Sequence, residues 1–225
     1  MPRFGNHAEV RSLALAALVG SASLAGFHAS ARPLSPAVRS AVVSAHQWHA
    51  GCPVTLSQLR VLTVTYHGFD GRTHTGKVVV NKAAAAPLTQ VFRRLYQLRF
   101  PIHHMKLSDT YGPSSGQPPD GDVTASFECR QASASPCNGS ANTGTGSWSE
   151  HAYGLAVDIN PVENPYVGCG MTRDKTALSY LDRTRVRRGM VTPAVVQAFR
   201  SVGWGWGGAW TGSTKDYMHF SASGH

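Results

Sequence analysis

Apolar positions recur with two different periods along the chain, and the periods assign most of its elements. Residues 60–67 and 74–81 alternate in the manner of strands, and Gly68-Phe69-Asp70-Gly71 joins them, which predicts a hairpin. Residues 83–100 switch to helical spacing, with Leu88, Val91, Phe92, Leu95 and Leu98 on one stripe that Pro101 ends. Ser35-Pro36 reads as a cap and first turn, followed by Val38, Val42 and Ala45 on one face before Gly51. Thr192-Pro193 opens a third helix that Gly203 stops, and residues 204–210 and 217–220 are aromatic and strand-like. Between these elements, residues 106–121 and 131–147 are rich in Gly, Pro, Ser and Asn and read as loops flanking the short run 126–130. Short strands mixed with helices, without βαβ alternation, predict an α+β fold: a small mixed sheet with flanking helices and long loops. Long loops inside a compact domain usually carry function.

Composition narrows the setting. The 225 residues include 21 Lys+Arg against 12 Asp+Glu, a formal charge of +9, with 42% hydrophobic and only 15% charged residues. That is enough apolar content for a core, and the charge favours an anionic partner. No recognition helix or finger spacing supports nucleic acid. No apolar run reaches the length of a membrane span, so stable membrane insertion is not expected. Residues 1–31 read as an export signal: Arg3 and Arg11, a short apolar run, then Ala29-Ser30-Ala31 as a small-x-small cleavage site. Residues 32–58 then form an N-terminal helix and linker, and residues 59–225 the main domain. Four cysteines, Cys52, Cys129, Cys137 and Cys169, imply two disulfides in an exported chain, with the pairing open. The expected location is secreted and cell-wall associated, as a monomer.

His151, Asp158 and His219 are candidate metal ligands, since two imidazoles and one carboxylate hold zinc and leave a position open for water. Parity is the difficulty. His151 and Asp158 are seven residues apart and would face opposite sides of one strand, so a turn or bulge at Gly154 is expected to bring both inward. Asp216 and His219 raise the same problem, which a loop at Gly212-Ser213-Thr214-Lys215 would relieve by keeping Asp216 off the strand. His46 and His49 share a helical face without a nearby carboxylate. The neighbours His103-His104 would point apart in an extended chain. The run Arg183, Arg185, Arg187 and Arg188 reads as a solvated face.

Ser149-Glu150-His151-Ala152-Tyr153-Gly154-Leu155-Ala156-Val157-Asp158 resembles the SxHxxGxAxD signature of the M15 family of zinc D,D-peptidases. Trp204-Gly205-Trp206-Gly207-Gly208 with Asp216-Tyr217-Met218-His219-Phe220 resembles the closing WGG…DxxHF signature of that family. The run 126–130 resembles its arginine-bearing segment. The resemblance implies a hedgehog/D,D-peptidase-like zinc fold, with Zn2+ on His151, Asp158 and His219. It makes Asp216 the general base and Arg130 the substrate-stabilising arginine. Ser149, Tyr153 and Trp206 are weaker candidates for lining the site. The implied activity is hydrolysis of peptidoglycan stem peptides, either removal of a terminal D-alanine or cleavage between L-alanine and D-glutamate. Asp rather than Glu at position 216 looks more like the endopeptidase branch. The competing reading is a wall-binding module that keeps zinc without catalysis, and intact Asp216 and Arg130 argue against it. A serine hydrolase is disfavoured because no G-x-S-x-G elbow occurs.

Overall fold

A computed structural model describes residue 1 and residues 26–139 and 144–225, and the fold is α+β. Its frame is a mixed sheet. Strand β1 (Ala29–Pro33) pairs antiparallel with β2 (Leu59–Gly68), which pairs antiparallel with β3 (Thr73–Asn81) through the expected hairpin. Helix α1 (Pro36–Ser44) lies between β1 and β2 in the chain, and the Ser35 side chain accepts from the Val38 amide as its cap. After helix α2 (Ala85–Gln97), strand β4 (Pro101–Ile102) joins the far end of β2 in parallel.

The two-residue period of β2 and β3 gives this sheet two apolar faces. Leu62, Val64, Tyr66, Val78 and Val80 pack with Leu88, Val91, Phe92 and Leu95 of α2. The opposite face, with Leu59 and Val79, covers Val42 of α1, Tyr111 of the short helix α3 (Leu107–Tyr111), Phe127 and Cys129. Burial on both faces fixes the register, because a slip of one residue would exchange the two sets of side chains. The export motif is split by this frame. Its basic start and apolar run fall in residues 2–25, outside the described residues, whereas Ala29-Ser30-Ala31 lies within β1.

The second half carries shorter pieces. They are β5 (Gln131–Ser133), β6 (Gly144–Trp148), β7 (Ala156–Asp158), β8 (Tyr166–Gly168), helix α4 (Pro193–Arg200), β9 (Gly205–Trp206), β10 (Thr214–Asp216) and β11 (His219–Ser221). They form three small antiparallel sheets: β5 with β6, β8 with β10, and β7-β11-β9. The aromatic ends expected as two strands are broken differently. Only Gly205–Trp206 of the first is strand, followed by a 3-10 turn at Gly207–Ala209, and the second is interrupted at Tyr217-Met218. Cys52 pairs with Cys129 and Cys137 with Cys169, which excludes the local Cys129–Cys137 loop. The arginine run is not simply solvated. Arg183 donates to the Glu163 carbonyl and the Asn164 side chain and stacks on Tyr217, while Arg187 stacks on Tyr180. Among the described residues, no helix is long and apolar enough to cross a membrane.

Candidate active site

The segment that presents His151 is short and strictly shaped. Ser149 caps a 3-10 turn, Glu150–Tyr153, by accepting from the His151 amide at 3.3 Å. Gly154 ends the turn in the left-handed region at φ +64, where a Cβ would stand 2.7 Å from the Asn81 amide nitrogen. The chain then enters β7. Of the two alternatives expected at Gly154 it is the turn, leading into a strand, that brings His151 and Asp158 to the same side. Asp158 pairs directly with His219 across β7 and β11. Asp216 does lie on a strand, against expectation, but on β10, where it pairs with Tyr166 of β8. The parity problem disappears because Asp216 and His219 belong to different sheets.

The three ligand candidates converge. Asp158 Oδ1 lies 3.2 Å from His151 Nε2 and 3.2 Å from His219 Nδ1, and the two ring nitrogens are 3.1 Å apart. The outer ring atoms decide the tautomers. His151 Nδ1 donates to the Ser126 carbonyl at 2.5 Å, and His219 Nε2 to the His225 carbonyl at 3.2 Å. A carbonyl only accepts, so each outer nitrogen carries a hydrogen, and in the neutral ring the inner nitrogen is then the one with the lone pair. Two lone pairs and a carboxylate therefore face one point inside a buried site. Such an arrangement suits a cation. Tetrahedral zinc with bonds of about 2.0–2.1 Å separates its ligand atoms by about 3.3 Å, close to the spacings here.

Electrostatics follow from this crowding. Burial alone would raise Asp158, yet the His151 and His219 imidazoles outweigh it and hold its carboxyl far below the ordinary range. Burial would lower His151, and the Asp158 charge overrides that and raises it. Asp216 is pushed up to about 7, first by burial and then by the Asp158 charge. Its Oδ1 is buried with no hydrogen-bond partner. Arg130 is held by its own neighbours: Nε donates to Glu128 Oε2 at 2.8 Å, and Nη1 to the Gln131 carbonyl and Ser133 Oγ. The disulfide at Cys129 anchors this segment to Cys52.

These residues line one cavity of about 290 Å³, with Arg130, Ser149, His151, Asp158, Asp216 and His219 on its wall. The other two expected lining residues stand elsewhere. Tyr153 packs in the core that contains Val42 and Phe127, and Trp206 packs against the core beside Phe220, its Nε1 donating to the Tyr217 carbonyl. The aromatic wall is instead Trp148, Tyr166 and Trp210, with Glu150 at the edge. Sequence reasoning missed these. Glu150 sits inside the first signature, and Tyr166 becomes visible only through the β8–β10 pairing. His46 and His49 contribute nothing to this cavity, and His49 instead lies beside the disulfide sulfur of Cys129.

Residues 143–222 match the family model described as D-alanyl-D-alanine carboxypeptidase. No curated protein and no solved structure matches the chain. The matched segment contains both signatures and His151, Asp158, Asp216 and His219, and over these residues, less than half of the chain, the protein is similar to that carboxypeptidase family.

Proposed function

We propose that the protein is an exported zinc peptidase that hydrolyses peptide bonds in peptidoglycan stem peptides. The observation that carries this reading is the pair of inward-facing ring nitrogens converging on the Asp158 carboxylate, next to the unpartnered Oδ1 of Asp216. His151, Asp158 and His219 would hold the ion, which when bound supplies Lewis-acid activation at neutral pH.

The remaining chemistry belongs to side chains. Asp216 accepts a proton from the attacking water and later delivers it to the leaving amine, and its environment favours that exchange near neutrality. Arg130, held against Glu128, stabilises the oxyanion of the tetrahedral intermediate. Trp148, Tyr166 and Trp210 shape the cleft around the peptide. Ser149 serves as the cap that sets His151. The +9 charge suits an anionic wall polymer whose stem peptides carry carboxylates. Two disulfides support an oxidising location outside the cytoplasm.

Chelation tests the metal reading directly. Prolonged 1,10-phenanthroline treatment abolishes stem-peptide hydrolysis, and added zinc restores it. Activity that survives the chelator but falls with a serine-directed reagent contradicts the proposal.

A further inference from the structure

A second group of imidazoles and carboxylates lies away from the peptidase cavity. The neighbours His103 and His104, expected to point apart, both approach one carboxylate. His103 Nδ1 and His104 Nε2 each lie 3.5 Å from Asp120 Oδ2, with ring centroids 4.7 Å apart. His103 Nδ1 is also 2.8 Å from Asp122 Oδ2. The donor atoms of His103, His104 and Asp120 all fall within 4.8 Å of one another.

Three further observations turn this cluster into a site. First, each carboxylate is held by one oxygen and offers the other. Asp120 Oδ1 accepts from the Asp122 amide and Asp122 Oδ1 from the Val162 amide, leaving both Oδ2 atoms turned to the imidazoles. Second, the Asp122 side chain is only 1% exposed, yet its Oδ2 has no hydrogen-bond partner. Its close approach to His103 Nδ1, which also lacks one, is not aligned as a hydrogen bond. Third, Glu163 is buried beside Asp122 and shares a hydrogen bond with it, its carboxyl pushed up to about 8 by burial and then by the Asp122 charge, so negative charge is crowded there strongly enough to hold a proton. The outer members, His103, His104 and Asp120, are about a third exposed, which leaves an entry path.

We propose that His103, His104, Asp120 and Asp122 form a second divalent-metal site, distinct from the peptidase centre, that takes a transition-metal ion of the zinc type. Mixed imidazole and carboxylate donors select that class over calcium or magnesium, which prefer oxygen alone. The site sits at the start of the strand-like segment that feeds the first centre. His104 accepts from the Thr124 amide, Ala125 bridges to Asp158, and the Ser126 carbonyl orients His151. A metal at Asp120 and Asp122 pins that segment at its origin.

Metal counting with the full chain tests this independently of peptidase activity. The metal-free His151→Ala/His219→Ala variant, which disables the first centre, is equilibrated with zinc chloride, freed of excess, and measured by inductively coupled plasma mass spectrometry. One zinc per chain supports the second site, and none overturns it. Adding His104→Ala/Asp120→Ala, both at partly exposed positions, takes the count from one to zero. A count that stays at one overturns the assignment to these residues. In the otherwise native chain, the same two substitutions lower the zinc count by one, and an unchanged count likewise contradicts the proposal.

Discussion

Asp158 and His219 face each other as a direct cross-strand pair between β7 and β11, with Oδ1 and Nδ1 3.2 Å apart. A sequence separation of 61 residues is thereby reduced to one register. Because side chains alternate across a strand, a slip of one position would turn His219 out of the site. The third candidate ligand, His151, comes from a capped turn rather than a strand, so its placement depends on Ser149 and Gly154 instead of on pairing.

Asp216→Ala separates base from ligand. Asp216 lies outside the three-atom cluster, so zinc content is expected to stay unchanged while turnover falls by about 10²–10⁴-fold, the usual worth of a positioned base. Metal analysis beside muropeptide turnover checks both halves. Turnover equal to that of the unaltered enzyme removes Asp216 from the mechanism.

Gly207 controls where Asp216 stands. A Cβ at position 207 would lie 2.5 Å from the Asp216 carbonyl oxygen and 2.8 Å from its Cβ, so the backbone has to separate. A shift near 1 Å costs about 10²-fold in a positioned site. Gly207→Ala is therefore expected to lose about that much in kcat/KM while keeping its zinc, as steady-state kinetics and metal analysis would show.

A metal proposed on His151, Asp158 and His219 would compete with protons, and the pKa shifts give the sign. The folded-state pKa of Asp216 is raised from 3.8 to about 7, so the metal-free fold favours its protonated form. That contribution is present at low pH and is lost as pH rises through about 7. The raised His151 adds in the same direction above its ordinary value of 6.5. Asp158, with its depressed pKa, acts oppositely and only in acid, where its contribution is lost as pH falls. The rise in Tm on adding zinc is thus expected to be larger at about pH 7.5 than at about pH 5. Calorimetry showing an equal or smaller rise at the higher pH contradicts this.

The Cys52–Cys129 bridge closes a separation of 77 residues and holds the residue before Arg130. The Cys129 amide also donates to the Gln47 carbonyl, so the bridge and the backbone tie the same two segments together. Replacing both cysteines by serine is expected to cost about 2–5 kcal/mol of stability. It also lowers kcat more than zinc content, because Arg130 loses its anchor. Denaturant unfolding and kinetics on the same variant measure the two effects.

Elements with one strong period were legible before any coordinates. The α2 stripe at Leu88, Val91, Phe92 and Leu95 is buried as its spacing predicts, and the β2–β3 hairpin turns where its glycines stand. The ligand set was legible as wording, through two signatures, and its geometry was not. Parity along single strands suggested a turn or bulge at Gly154, and the turn is present, but it also suggested a looped-out Asp216, which non-local pairing instead places on a different sheet from His219. The same limit hid Tyr166 as a wall of the site and made His103-His104 read as divergent. An extended chain separates adjacent rings, but here the chain bends and both rings reach Asp120. Disulfide pairing was open for the same reason, since spacing alone does not say which distant segments meet.

Mass spectrometry of purified muropeptides incubated with the zinc-loaded protein tests the central claim most directly. The account predicts either loss of a terminal D-alanine or a split between L-alanine and D-glutamate, abolished in Asp216→Ala. Muropeptides left intact by protein that carries its zinc would contradict it.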